Sequence, residues 1–197
     1  MLEKYIYFVR HAMSKSNVDV TFGGDEHIVD AGRDDAYILR DKLTDMDFTL
    51  AISSDRKRAI ETSLLVFASR NTFIVDRRFR EIYFGRLEGK PITDEVVAEI
   101  QENPYIIKHK YYGDDIFERV SEVLKALYTY IDVFGGDIVI VTHDTLLELL
   151  FWMTNFYQLN DRSQFKLWDN KYIMKYCDMI KVPVSFINSF RGKELKK

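Results

Sequence analysis

The chain has 197 residues, of which 47% are hydrophobic and 14% aromatic, with few glycines and prolines. This composition excludes a disordered or low-complexity protein, and the length suits a single domain, residues 1–197, with one large core and room for a small insertion. The formal net charge is only −3 and both signs are mixed along the chain, so neither nucleic acid nor a membrane is an expected partner.

Short apolar runs alternate with amphipathic segments as far as residue 153. The runs are rich in β-branched and aromatic residues and end in polar residues, which is typical of buried strands. The amphipathic segments repeat apolar residues at steps of three and four, which predicts helices. In chain order we predict a strand over 5–11, a helix from Gly32 and Arg33 onward, a strand over 48–53, a helix over 56–69, a strand over 73–75, a short helix over 93–101, a long helix over 116–134, a strand over 138–141 and a helix over 146–153.

The remaining segments are less regular. Residues from about 90 to 114 are predicted to form a small cap insertion, which is irregular over 106–113. Thr145 and Glu148 have the spacing of a capping box at the start of the last helix. Beyond residue 153, weak patterns predict antiparallel strands at an edge of the sheet, over 165–168, 172–176 and 184–187.

This alternation predicts an α/β fold with a mostly parallel sheet, flanked by helices on both faces in three layers. In open sheets of this kind, ligand sites lie at the carboxyl ends of the strands. His11, the turn 53–58, Glu81 and His143 each follow a predicted strand. We therefore expect groups that are far apart in sequence to meet in one cleft.

The residue types at that edge suit phosphoryl transfer through a covalent intermediate. Arg10 and Arg58 can each bind two phosphate oxygens through the guanidinium fork. The neutral imidazole of His11 can attack phosphorus if its other ring nitrogen is held by a hydrogen bond. A protonated His143 would stabilise charge on the phosphate oxygens, and Glu81 would protonate the leaving group and then activate water.

Four blocks of sequence resemble one known family. Residues 10–17, Arg-His-Ala-Met-Ser-Lys-Ser-Asn, resemble the Arg-His-Gly-x-Ser/Thr-x-x-Asn signature of the histidine phosphatase superfamily, in its phosphoglycerate mutase-like branch. Residues 53–62 are similar to that branch's Ser-Ser-Asp-x-x-Arg-Ala-x-x-Thr block, and residues 80–89 to its Arg-Glu-x-x-Phe-Gly-x-x-Glu-Gly block. Residues 141–143 match the block with the second histidine, and the four blocks occur in family order.

The resemblance implies a metal-independent phosphatase or mutase that works through a phosphohistidine. It places the catalytic roles on His11, Glu81 and His143, and the substrate contacts on Arg10, Asn17 and Arg58. No cofactor is expected. A metal site built from His11, His27 and His143 has no ligand-spacing motif to support it, and the arginines would oppose a cation.

The chain departs from the family pattern after each histidine. The family usually has glycine at both positions, whereas this chain has Ala12 and Asp144. The extra methyl group of Ala12 is expected to be tolerated. A carboxylate at residue 144 would repel a phosphate, so we expect Asp144 to turn away and cap the helix that Thr145 begins.

Three functions remain open from the sequence. The first is hydrolysis of a small phosphomonoester, which agrees with a cap insertion shorter than the insert of the family's glycolytic mutases. The second is a cofactor-dependent phosphoglycerate mutase, and the third is a phospho-ligand binding or regulatory domain in which Ala12 and Asp144 impair turnover. The expected partner is thus a small phosphorylated molecule, with the oligomeric state open. The lone Cys177 and the lack of a signal-like or membrane-spanning run predict a cytoplasmic location.

Overall fold

The sheet of this protein is mostly parallel, as the sequence predicts. The computed structural model describes residues 3–67, 73–156, 166–169 and 174–193. Within these residues the strands are β1 (Tyr5–Arg10), β2 (Leu50–Ser53), β3 (Phe73–Val75), β4 (Ile138–Thr142) and β5 (Met179–Pro183). They are ordered β3-β2-β4-β1-β5, with every pair parallel except β1 and β5. The predicted antiparallel edge strand is therefore present, although at other residues.

The helices cover both faces of this sheet. Those in the described residues are α1 (Lys15–Val18), α2 (Asp30–Lys42), α3 (Lys57–Phe67), α4 (Asp94–Glu102), α5 (Ile106–His109), α6 (Ile116–Phe134), α7 (Asp144–Met153) and α8 (Val184–Asn188). Residues 68 and 69 of the predicted helix 56–69 lie outside the described ranges. None of these helices is long and apolar enough to cross a membrane.

Strand side chains alternate between two cores, because successive residues of a strand point to opposite faces. One core contains Tyr7, Val9, Ala51, Val139 and Val141, packed with residues of α2 and α3. The other contains Ile6, Phe8, Ile52, Ile138 and Ile140, packed with residues of α6 and α7. Nearly every one of these side chains is inaccessible to solvent, and the three-layer arrangement predicted from the sequence is confirmed.

The cap segment, residues 90–114, is more regular than predicted. Its helix α4 begins after Thr93, whose hydroxyl accepts a hydrogen bond from the Val96 N–H (3.4 Å). The prediction that 106–113 is irregular is wrong in part, since it contains α5. Ile100 and Ile107 are fully buried in the core that also contains α6, and their burial explains why both short helices form despite weak local patterns.

Two of the three predicted C-terminal strands are wrong. Of the predicted strand 165–168, residue 165 lies outside the described ranges. Residues 166–169 form a turn, in which the Asp169 N–H donates to the Lys166 carbonyl (3.2 Å). Residues 184–187 belong to α8, where Ile187 is buried in the core that contains α6. This packing overrides the strand preference of the β-branched residues. Of the third segment, 172–176, residues 172 and 173 lie outside the described ranges and 174–176 form no strand.

Gly85 and Gly135 allow the cost of a steric clash to be separated from the cost of backbone strain. Both adopt the left-handed conformation, with φ of 61° and 63°. A Cβ on Gly135 would meet nothing within 4 Å, whereas one on Gly85 would lie 2.0 Å from the Tyr111 carbonyl oxygen. We predict that Gly135→Ala lowers the free energy of unfolding by about 1–2 kcal/mol, and Gly85→Ala by at least about 3 kcal/mol. Urea denaturation measures both, and equal losses would contradict the steric argument.

Candidate active site

The candidate site lies at the carboxyl edge of the parallel strands. Arg10 ends β1, and the main-chain N–H of His11 donates to the carbonyl of Thr142 on β4 (2.9 Å). The N–H of Ser54, directly after β2, donates to the Val141 carbonyl, also at 2.9 Å. These two bonds continue the strand pairing of β4 with β1 and with β2 by one residue beyond the ends of β1 and β2. The residues that follow β1, β2 and β4 therefore lie at the same edge of the sheet.

A cavity of about 850 Å³ opens at this edge. It is lined by five of the six residues predicted from the sequence, namely Arg10, His11, Asn17, Arg58 and Glu81. The sixth, His143, is fully buried beside His11, with the two ring centroids 4.9 Å apart. The structure thus brings all six into one neighbourhood, and His143 lies beneath the cavity surface.

Two hydrogen bonds orient the ring of His11. Its Nδ1 lies 2.7 Å from the carbonyl oxygen of Ala12, so Nδ1 carries the proton and donates. Its Nε2 accepts from Nε of Arg58 at 3.0 Å. Burial, followed by the charges of Arg58 and Arg10, lowers the pKa of His11 well below its usual value. His11 is therefore a neutral imidazole whose basic nitrogen is directed at a guanidinium that can bind phosphate.

Arg58 is fixed from two directions. It lies in the first turn of α3, is 3% exposed, and its Nη1 donates to the carbonyl of Gly24 (2.7 Å). Thr62, one turn further along α3, donates to the Arg58 carbonyl (2.6 Å) and accepts from the Ala12 N–H (2.9 Å). The same helix therefore positions the guanidinium and the loop that follows His11, which reduces the ordering needed when an anion binds.

The surroundings of His143 favour a neutral ring, and the protonated form expected from the sequence stays a prediction. Burial, followed by the charge of Arg58, lowers the pKa of His143 well below its usual value. Its Nε2 lies 2.8 Å from the hydroxyl oxygen of Ser54. Its Nδ1 is buried and has no hydrogen-bond partner within the described part of the chain. A bound phosphate dianion would favour the protonated form, because an opposite charge nearby raises the pKa of an imidazole.

Glu81 is a buried carboxyl group in the cavity wall. Its Oε1 accepts from the main-chain N–H groups of Ile82 (2.9 Å) and Leu146 (3.1 Å). Burial raises the pKa of Glu81, while the charge of Arg58 lowers it. The raised pKa favours a protonated carboxyl group, which is the state that a general acid needs before it acts.

Asp144 contacts the predicted phosphate arginine, so the prediction that it turns away to cap a helix is wrong. Helix α7 begins at Asp144 itself, with His143 at the cap position. One carboxylate oxygen lies 3.2 Å from Nη1 of Arg10, and the other accepts from the Met174 N–H (3.0 Å). Both side chains of the ion pair are 11% exposed, so water screens the pair weakly.

Arg10 has two further partners besides Asp144. Its Nη1 also donates to the carbonyl of Met174, and its guanidinium carbon lies 4.2 Å from the centre of the Tyr176 ring. These contacts hold the guanidinium at the cavity wall. In this structure Arg10 is therefore bound to protein groups at the position where the sequence analysis expects it to bind phosphate.

The predicted capping box of α7 is absent. The Thr145 hydroxyl instead accepts from the indole Nε1 of Trp168 (3.1 Å), and Glu148 Oε2 accepts from the Trp168 main-chain N–H (2.7 Å). Burial, followed by the negative charge of Asp144, raises the pKa of Glu148 to about 9. Glu148 is therefore a neutral acid at neutral pH, and it connects α7 to the turn 166–169.

Asn17 lines the cavity and also orders the loop after His11. Its Oδ1 accepts from the main-chain N–H of Ser14 (3.0 Å) and from the Ser14 hydroxyl (2.7 Å). Both acceptor bonds lie within the first turn of α1 and its cap. A contact between Asn17 and substrate stays a prediction.

Several residues of the site were not predicted. Ser54, which bonds His143, stands inside the block 53–62, so its sequence signal was present. Phe22 and Phe84 line the cavity, although Phe84 also lies within a recognised block. Trp168 and Tyr176 belong to segments whose periodicity is weak, and their aromatic character is the one signal that could have identified them.

Comparison with known proteins agrees with these features. Residues 6–176 match the family described as the histidine phosphatase superfamily, branch 1. A protein of Hydrogenobacter thermophilus with the provisional name phosphoserine phosphatase 2 is 34% identical over 90 residues, which are 44% of each chain. The present chain spans about half the length of the curated relatives it matches.

Solved structures share the fold. A mycobacterial glucosyl-3-phosphoglycerate phosphatase has a TM-score of 0.76 at 17% identity, covering 90% of this chain and 92% of the other. A phosphoglycerate mutase from Bacillus anthracis has a TM-score of 0.75 at 23% identity, covering 96% and 97%. At these identities the likeness concerns the fold alone, whereas the family match covers most of the sequence. The chain belongs to the histidine phosphatase superfamily, branch 1.

Proposed function

We propose that this protein is a metal-independent phosphatase that hydrolyses a small phosphomonoester through a phosphohistidine on His11. The observation that carries the proposal is the orientation of His11. Its Nδ1 is held by the Ala12 carbonyl, and its Nε2 faces Arg58 in the wall of the cavity. A fixed neutral imidazole beside a guanidinium is the arrangement required for attack on a bound phosphate. We place this activity in the cytoplasm, as the lone Cys177 predicts.

The first half of the proposed reaction transfers the phosphoryl group to the protein. The lone pair on His11 Nε2 forms a bond to phosphorus while the bond from phosphorus to the ester oxygen breaks. The electron pair of the broken bond stays on the leaving oxygen, which takes the proton of Glu81. Arg10 and Arg58 stabilise the negative charge on the transferred group. His143 assists them, because it takes a proton from solvent when the phosphate dianion binds and returns that proton to solvent when inorganic phosphate leaves.

The second half returns the protein to its starting state. Glu81, now a carboxylate, removes a proton from a water molecule as that water attacks the phosphorus. The bond between phosphorus and His11 Nε2 breaks, its electron pair returns to the ring, and inorganic phosphate is released. Glu81 is protonated again, so every proton is accounted for over the cycle.

The other two functions considered from the sequence use the same residues. A mutase would keep water from the phosphohistidine, and primer-dependent interconversion of phosphoglycerates without release of phosphate would identify it. A binding domain with impaired turnover is favoured by one observation, which is the ion pair between Asp144 and Arg10. The experiments below distinguish catalysis from binding.

The nucleophile is tested by removing its ring. We predict that His11→Ala lowers kcat for 4-nitrophenyl phosphate, measured in excess chelator, by at least about 10³-fold. The wild type treated with labelled substrate should carry an acid-labile, base-stable phosphate that the variant lacks. His109→Ala is the matched control, because His109 is an exposed histidine on α5 and its loss should change neither result. Activity that survives in His11→Ala would reject the mechanism.

The role of Glu81 is tested by varying the leaving group. Glu81→Gln retains the size and the acceptor oxygen of the side chain but cannot exchange a proton. We predict that kcat for an alkyl phosphate falls by about 10²- to 10⁴-fold, because the alkoxide needs the proton. Nitrophenolate leaves without one, so the variant should release a rapid burst of one equivalent and then turn over slowly. Equal losses for both esters, with no burst, would assign Glu81 a structural role.

The ion pair of Arg10 predicts a pH dependence. Burial raises the pKa of Asp144, although Arg10 opposes the shift. Below that pKa the carboxyl group is neutral, and above it the carboxylate competes with phosphate for Arg10. Asp144→Asn keeps the acceptor for the Met174 N–H but carries no charge. We predict that it lowers KM by about tenfold, or about 1.4 kcal/mol, at pH values above the pKa of Asp144 and leaves KM unchanged below that pKa. The ratio of wild-type to variant KM cancels the ionisation of the substrate. A higher KM in the variant would show that Asp144 positions Arg10 for binding.

A further inference from the structure

Beyond the phosphate end, one wall of the cavity is apolar and aromatic. Phe22, Phe84 and Trp168 line it together. The ring centroids of the two phenylalanines lie 5.2 Å apart, and each of them lies 5.9 Å from the ring centroid of Trp168. The three rings therefore form one continuous surface, here called the aromatic wall.

Trp168 is held in that wall by more than packing. Its φ of 60° is a left-handed conformation, which is strained for a bulky residue and persists only where the surroundings impose it. Two hydrogen bonds from Trp168 to α7, its main-chain N–H to Glu148 and its indole N–H to Thr145, impose it here. Glu148 is 1% exposed. The indole is thus fixed before any ligand binds.

The apolar surface continues from the aromatic wall to the mouth of the cavity. The Ile92 N–H donates to the Val20 carbonyl (2.9 Å), and the Phe22 N–H to the Lys90 carbonyl (3.0 Å). This short ladder joins the loop after α1 to the start of the cap segment. Val20 and Ile92 both line the cavity and are 55% and 38% exposed. Exposed apolar side chains that adjoin a buried aromatic surface are a feature of ligand-binding grooves.

Among the described residues of the elements that form this apolar surface, no cation lines the cavity. In the cap segment, Lys108 pairs with Asp115 (3.0 Å) and Lys110 pairs with Glu99, and neither lysine lines the cavity. Besides Arg10 and Arg58, the cations among the described lining residues are Lys42 on α2 and Lys175 before β5. Along the aromatic wall, a second anionic group on the substrate would therefore find no cationic partner among the described residues, and its desolvation there would be unfavourable.

We propose, on the basis of the phosphatase function above, that the substrates are phosphomonoesters of uncharged, apolar alcohols, with Trp168 as a specificity-determining contact. The phosphate binds at Arg58 and His11, and the apolar part of the alcohol lies along Trp168, Phe22 and Phe84 toward Ile92. Burial of that part supplies the binding energy that distinguishes one ester from another. Phosphoglycerates, which carry a carboxylate, are poor substrates under this proposal.

The test compares esters with equivalent leaving groups. Ethyl phosphate and octyl phosphate both release a primary alkoxide, so a difference between them reports on contacts with the chain. We expect kcat/KM of the wild type, measured as phosphate release in chelator, to be at least tenfold higher for octyl phosphate. We expect 3-phosphoglycerate to be hydrolysed no better than ethyl phosphate.

Variants of Trp168 test whether the preference for octyl phosphate arises from the aromatic wall. Trp168→Ala should lower the octyl-to-ethyl ratio at least fivefold, and Trp168→Phe, which keeps an apolar ring, should retain part of it. Tyr37→Ala is the control, because Tyr37 is a 41% exposed aromatic residue that does not line the cavity, and the ratio should not change. If Trp168→Ala does not fold, the octyl-to-ethyl ratios of the wild type and of Trp168→Phe test the proposal.

The outcomes separate this inference from the function on which it rests. Phosphate release from ethyl phosphate or 3-phosphoglycerate that equals or exceeds release from octyl phosphate overturns the inference and leaves the phosphatase intact. An octyl preference that persists unchanged in both Trp168 variants overturns the role of Trp168. No release from any ester, including 4-nitrophenyl phosphate, overturns the proposed function itself.

Discussion

The parallel pairing of β4 between β1 and β2 is the constraint on which the site depends. Its register sets Arg10 opposite Thr142, and Ser53 opposite Val141. The residues next in sequence, His11, Ser54 and His143, must therefore leave the sheet at one edge. A slip of one residue in either pairing would move every buried side chain of that strand to the opposite face. The two apolar cores that fix this register thus also fix the positions of the two histidines.

Burial determines the charge state of each group at that edge. Lost hydration is the main cause that lowers the pKa of both histidines and raises the pKa of Glu81. Arg58 assists it at the histidines and opposes it at Glu81. The outcome is two neutral imidazoles and a carboxyl group that favours its proton, all near a permanent cation. The charge of a dianion that enters such a site would favour protonation of His143.

The strands, the long helices and most of the site followed from local sequence patterns, because a buried strand and an amphipathic helix each have a periodicity of their own. The predictions that were wrong concern residues whose positions depend on contacts between distant segments. Asp144 was expected to cap α7, a local role, but it bonds Met174 and Arg10 across the fold. The segment 184–187 has strand-forming residues, and its burial against α6 makes it helical. Trp168 lies in a segment whose pattern is weak and predicts a strand, so its place in the cavity wall depends on tertiary structure.

These long-range contacts converge on the start of α7. A helix N-terminus ordinarily offers free N–H groups to an anion, but here the Leu146 N–H is bound by Glu81. Asp144, Thr145 and Glu148 accept hydrogen bonds from the segments that contain Met174 and Trp168. The helix start therefore anchors Glu81, which we propose as the general acid, the segment that places Tyr176 against Arg10, and the aromatic wall. This anchoring explains how a carboxylate is accommodated at residue 144, where the family usually has glycine. The Met174 N–H donates to Asp144 and so holds the segment around Met174 beside the site. The ion pair with Arg10 compensates the negative charge of Asp144.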